Sequence, residues 1–160
     1  MRPHGTSALF GILLLLSAAS FGHAEEQQAQ GFIEANENLA LTVMNLVLFH
    51  ATFPRQEGPS TPPKDLSFME GVDSGAGKVH VKPDGTVELS GYAFWYVVED
   101  GHIVLSARPI TPGVTGNRFF AFGKRPEGIL QVSGMDIENI TVEDSNQNGR
   151  VDAGERQLKP

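Results

Sequence analysis

The chain has 160 residues, no cysteine and a formal net charge of −7. An acidic chain with no basic cluster excludes nucleic acid as a partner, because phosphate backbones would be repelled. The lack of cysteine excludes a disulfide framework, so the fold must rest on its hydrophobic core and on any ion it binds.

The N-terminus reads as a secretory signal over residues 1–24. Arg2 and His4 precede an apolar run over 7–21, and Gly22 and Ala24 place small residues where a signal peptidase cuts. The run falls short of the roughly 20 residues that a membrane span needs. The expectation is export to the periplasm or the extracellular space, with no membrane attachment after cleavage. Residues 25–160 then form a single globular domain of ordinary size, one charge unit more acidic because the signal removes Arg2 and no acid.

Residues 25–30 are polar and read as a frayed lead-in. Helical periodicity follows over 32–53. Ile33, Ala40, Met44, Val47 and Ala51 recur at steps of three, four and seven. Leu39, Val43, Leu46 and Phe49 widen that stripe, while Glu34, Asn36, Glu37, Asn38, Thr42 and Asn45 fall on the other face. Leu41 and Leu48 make the second half apolar nearly all round. That leaves room for self-association or a protein partner through the helix. Pro54 ends it. The stretch 54–77 is rich in Pro and Gly and reads as a long connection, anchored only by Leu66, Phe68 and Met69 in a short helical turn.

Short strands come next, over 78–82, 86–90, 92–98, 102–107, 118–122 and 129–132. They are separated by turn sequences such as Pro83-Asp84-Gly85 and Glu99-Asp100-Gly101. One long helix followed by such strands predicts an α+β fold, with the helix packed on an antiparallel meander. Ile137, Ile140 and Val142 alternate with polar residues and suggest a further strand.

Residues 144–155 read D-S-N-Q-N-G-R-V-D-A-G-E. Calcium takes six to eight oxygen ligands, and a twelve-residue loop can supply them from alternate positions. Asp144, Asn146 and Asn148 offer side-chain oxygens at positions 1, 3 and 5, and Gly149 permits the sharp turn at 6. Arg150 contributes its backbone carbonyl, Asp152 stands at position 9, and Glu155 closes the shell with two oxygens. Val151 pins the loop to the core. The match is to the EF-hand family loop alone, since a strand precedes it and no helix pair flanks it. Calcium is the expected cofactor, with an affinity in the range of about 10⁻⁴ to 10⁻³ M found in extracellular modules.

The remaining chemistry is sparse. His50, His80 and His102 have no partner at metal or triad spacing, and no serine stands in a nucleophile elbow. A structural or interaction role is therefore expected over catalysis. The alternative is a small exported enzyme or ligand binder whose site is shaped by the loop 54–77.

The segment from Ser106 to Phe120, S-A-R-P-I-T-P-G-V-T-G-N-R-F-F, follows an aromatic strand and a turn. It resembles the P-x-x-P-G-x-T-G-x-R-x-F stretch in the globular domain of some bacterial type IV pilin-like proteins. The preceding helix is similar to the exposed half of a pilin helix. The resemblance covers residues 32–132 and implies a helix lying on an antiparallel sheet. As in some pseudopilins, it also implies a calcium that holds the C-terminal loop. Pilins open with a glutamate at their fifth position and a long apolar run. Gly31-Phe32-Ile33-Glu34, followed by polar residues, departs from that pattern, so the resemblance extends to the fold and not to filament membership.

Overall fold

The structure is a computed structural model that describes residues 8–52, 61–126 and 138–158, with side chains of the helix from residue 25 onward. It is α+β, as expected. One helix, α1 (Ala8–Thr52), lies on a six-stranded antiparallel sheet whose strands follow chain order. They are β1 (Val87–Leu89), β2 (Tyr92–Glu99), β3 (His102–Pro109), β4 (Phe120–Lys124), β5 (Asn139–Glu143) and β6 (Arg156–Gln157).

The helix starts well before the expected residue 32. The segment Glu25-Glu26-Gln27-Gln28-Ala29-Gln30 consists of good helix formers with no breaker, so helical backbone continues through it instead of fraying. Residues 25–32 are exposed on every side, beyond the reach of the sheet. Among the described residues, no helix is long and apolar enough to cross a membrane.

Further along, the apolar stripe does what its spacing predicts. Ile33, Ala40, Val43, Met44, Val47 and Ala51 are buried. Leu41 and Leu48 are half-buried, and Phe49 is exposed rather than part of the stripe. Two residues expected on the polar face are corrected. Asn36 and Glu37 are 8% and 6% exposed, because the connection between β3 and β4 folds over them. The Asn36 side-chain amide donates to the Thr115 carbonyl at 3.0 Å. The Glu37 carboxylate accepts from the backbone N–H groups of Asn117 at 2.9 Å and Arg118 at 3.2 Å.

The sheet presents alternate residues to its two faces. Tyr92, Phe94 and Tyr96 of β2, with Leu105 and Ala107 of β3 and Phe120 of β4, join the helix in the main core. The hairpins β1–β2 and β2–β3 turn through the pairs Ser90-Gly91 and Asp100-Gly101, each with both residues at positive φ. That is the two-residue turn whose twist matches the strands it joins.

The long connection is anchored as predicted. Leu66–Met69 form a single turn of 3-10 helix, capped by the Asp65 carboxylate, with Leu66 and Met69 buried. Residues 53–60 of that connection, and the expected strand at 129–132, lie outside the described residues. The expected strand 78–82 is not one. It makes only isolated bridges, Asp73 with Lys78 and Val81 with Val87, before Pro83 turns the chain.

Candidate metal loop on the outer face of the sheet

The face of the sheet away from the helix is covered by the C-terminal loop. Ala121, Ile140 and Val142 form a second small core there, and Val151 packs against it. This is the pinning role expected for Val151. The start of the loop is fixed by the Asp144 N–H, which donates to the Phe119 carbonyl at 2.9 Å.

From there the backbone curls inward through a series of side-chain-closed turns. The Asp144 carboxylate, 1% exposed, accepts from the N–H of Asn148 at 3.1 Å and of Gly149 at 2.7 Å. The side-chain oxygen of Asn146 accepts from the N–H of Asn148 at 3.1 Å, and that of Asn148 from the N–H of Arg150 at 2.8 Å. Gln147 and Gly149 both take positive φ, which the tight curl requires. A Cβ on Gly149 would also stand 3.0 Å from an Arg108 guanidinium nitrogen, so that side chain would have to shift slightly to admit it. The Glu155 carboxylate spans the loop and accepts from the N–H of Ser145 and of Asp152, each at 3.0 Å.

The structure therefore gathers Asp144, Asn146, Asn148, Asp152 and Glu155 around one short loop. Asp152 accepts from the side-chain amides of Asn146 at 2.8 Å and Asn148 at 2.6 Å. Those amides hold its carboxyl below the usual range, opposed by slight desolvation and aided by the Arg150 charge. Among the described residues, no three His, Cys, Asp or Glu side chains form a metal cluster. The acids of the loop are interleaved with amides instead.

The donor set fits a hard cation in kind. It is made of oxygens, and the buried Asp144 carboxylate has only backbone amides as partners among the described residues, with no Lys or Arg on it. The side-chain oxygens of Asn146 and Asn148 are taken up by backbone N–H groups and their amide nitrogens face Asp152, so a bound cation would need these side chains to turn. Arg150 turns its side chain outward. Its guanidinium donates to both oxygens of Glu99 at 2.6 and 2.7 Å, which ties the loop to the end of β2 and leaves only its backbone on the loop side. Spacing alone could not reveal this partner, because Glu99 lies on a distant hairpin.

The histidines are scattered. His80 pairs with Glu70 at 3.0 Å on an exposed turn, and His102 lies 3.7 Å from Glu138. Comparison with protein-family models, with curated proteins and with solved structures gives no match to this chain.

Proposed function

We propose that this chain is an exported calcium-binding protein with a structural or interaction role and a pilin-like fold, in which calcium steadies the C-terminal segment. The observation that carries the reading is the loop 144–155. The carboxylates of Asp144 and Glu155 close the loop on backbone N–H groups, Asn146 and Asn148 meet Asp152, and Val151 anchors it to the sheet. The pilin-like part is supported by the helix lying on an antiparallel meander and extending past it at its N-terminal end. Asp144, Asn146, Asn148, Asp152 and Glu155 would hold the ion with side chains, and Arg150 with its carbonyl.

A ligand that binds only the folded state stabilises it by RT ln(1 + [L]/Kd), about 1.4 kcal/mol at ten times Kd. For a domain of this size that is a rise in Tm of a few degrees. The test is thermal unfolding in calcium and in excess chelator, for the wild type and for Glu155→Gln and Asp144→Asn. Calcium should raise the wild-type Tm, and both variants should lose most of the rise. Arg150→Ala should keep it. Magnesium should do less, since it demands a tighter octahedron. Equal melting temperatures for the wild type in both conditions, with no heat of binding at millimolar calcium, would sink the reading.

A further inference from the structure

Between the metal loop and the exposed half of β2 lies a groove of about 340 Å³ on the outer face of the sheet. Trp95 and Val97 form one wall, and they are 41% and 45% exposed. Val104 and Ser106 of β3 make the floor, and the backbone of Asn148 and Gly149 forms the far wall. Arg108 sits at the end of the floor. Its guanidinium lies over the Trp95 ring at 5.2 Å, and the backbone of Gly149 closes on it from the other side.

Arg108 stands apart from the other paired arginines. Arg118 and Arg156 share Glu143, and Arg150 holds Glu99. Among the described residues no carboxylate reaches Arg108, and its Nε is buried without an acceptor. That Nε has no surface open to a ligand, so it is the terminal Nη groups of Arg108, without an acceptor among the described residues, that face the groove. In a chain with 19 acidic residues, a guanidinium lacking an internal acid is a place for an external one.

We propose that this groove binds a peptide segment bearing one carboxylate flanked by apolar side chains. Arg108 takes the carboxylate through a two-pronged contact, and Trp95 and Val97 take the apolar flank. The inference rests on the interaction-protein reading and deepens it, because the metal loop is one wall of the groove. A peptide fits better than an enclosed small molecule. The volume is near the lower end for ligand pockets, and exposed Trp beside Arg is the composition of a protein-binding centre. A single carboxylate fits better than an acidic run, since Glu99 lies close by on Arg150, and of the two arginines that line the groove Arg108 is the one with no carboxylate on it among the described residues.

The experiment uses the exported protein with calcium present and the peptide acetyl-Ser-Leu-Glu-Leu-Ser-amide, beside its glutamine counterpart and an oligomer of galacturonate. Trp95 is the only tryptophan, so its emission reports the groove. The Nε–H resonance of Arg108 in a nitrogen-15 spectrum reports the carboxylate. Both signals should shift with the glutamate peptide. The glutamine peptide, and the Arg108→Gln variant with the glutamate peptide, should each bind at least about tenfold more weakly. Arg108→Lys should recover little, since lysine lacks the planar fork. The glutamine peptide keeps the test decisive even if Arg108→Gln fails to fold. Equal binding of the two peptides, an unmoved Arg108 signal at millimolar peptide, or a shift with galacturonate alone would overturn the proposal. Calcium heat without any peptide shift overturns the groove and leaves the calcium reading standing. Peptide shifts in a protein that takes up no calcium do the reverse.

Discussion

Tyr92 and Tyr96 lie on the same face of β2, both buried, and their hydroxyls meet opposite fates. The Tyr92 hydroxyl donates to the Arg118 carbonyl at 2.8 Å, whereas the Tyr96 hydroxyl is buried without a partner among the described residues. Burial pushes the Tyr96 phenol up to about 12, with the Asp65 charge adding to it. Burial and then the Glu37 charge push Tyr92 well above the usual phenol range. Removing an unpartnered buried hydroxyl costs little, while removing a paired one strands the other half. Tyr96→Phe should therefore leave stability unchanged or raise it by up to about 1 kcal/mol, and Tyr92→Phe should lower it by about 1 kcal/mol. Urea unfolding of the two variants checks both signs. Tyr92 also explains a glycine. A Cβ on Gly116 would overlap the Tyr92 hydroxyl, so the close approach of this loop depends on the missing side chain. In the sequence Gly116 is simply the second glycine of the stretch P-G-V-T-G. The ring it makes room for lies on another strand, and local sequence carries no sign of it.

At the scale of elements, the joint between the helix and the β3–β4 connection depends on Glu37. Its single Oε1 accepts two backbone N–H groups, so Glu37→Ala strands both, at a cost of about 2 kcal/mol or more. Glu37→Gln keeps a carbonyl there and should recover most of the loss. Thermal melts of the pair separate the hydrogen bonds from the charge. A second joint ties β4, β5 and β6. Glu143 of β5 meets Arg118 at 3.2 Å and also pairs with Arg156. Partial burial pushes the Glu143 carboxyl up, but Arg156 and Arg118 together outweigh it and leave it below the ordinary value. A carboxyl lowered in the folded state contributes stability that is full above its unfolded value, near about 4.3, and is lost as pH falls through the folded value. Glu143→Gln should thus lower Tm at neutral pH, and the gap from the wild type should close as the medium becomes more acid than that carboxyl. Helix period and strand alternation were enough to place the sheet-facing part of α1, β2 and β3, because each buries a regular stripe. They were not enough for Asn36 and Glu37, whose burial depends on a partner loop some 80 residues away. Alternation at Val79 and Val81 suggested a strand where the chain makes only bridges. The two residues of β6 are too few to show any period. In the loop 144–155 the spacing of the oxygen-bearing side chains was legible, but the tie from Arg150 to Glu99 was not. Nor was the groove beside the loop, since Trp95, Arg108 and Gly149 meet only through strand pairing and loop closure.

Taken whole, the described sheet is covered on one face by a helix and on part of the other, over β4 and β5, by a twelve-residue loop. The two covers share strands but little else, so they should respond separately to calcium. Hydrogen exchange with and without chelator should show slowing by calcium in residues 139–158 and in β4. Exchange in residues 33–51 of the helix should stay the same. Slowing spread evenly over the chain would contradict a local role for the ion. The sheet also has ends. Its outermost strands, β1 and β6, run for three and two residues, and β1 is already bridged by Val81 just ahead of Pro83. A row of unmet backbone groups on a long outer strand is what lets one molecule template the next into fibrils. Here β6 offers only two residues, and β1 covers just Tyr92–Phe94 of β2, leaving Trp95–Glu99 without a strand beside it on that side among the described residues. Copies of this chain crowded together would therefore find little to template on at β6 and only a short open stretch at β2.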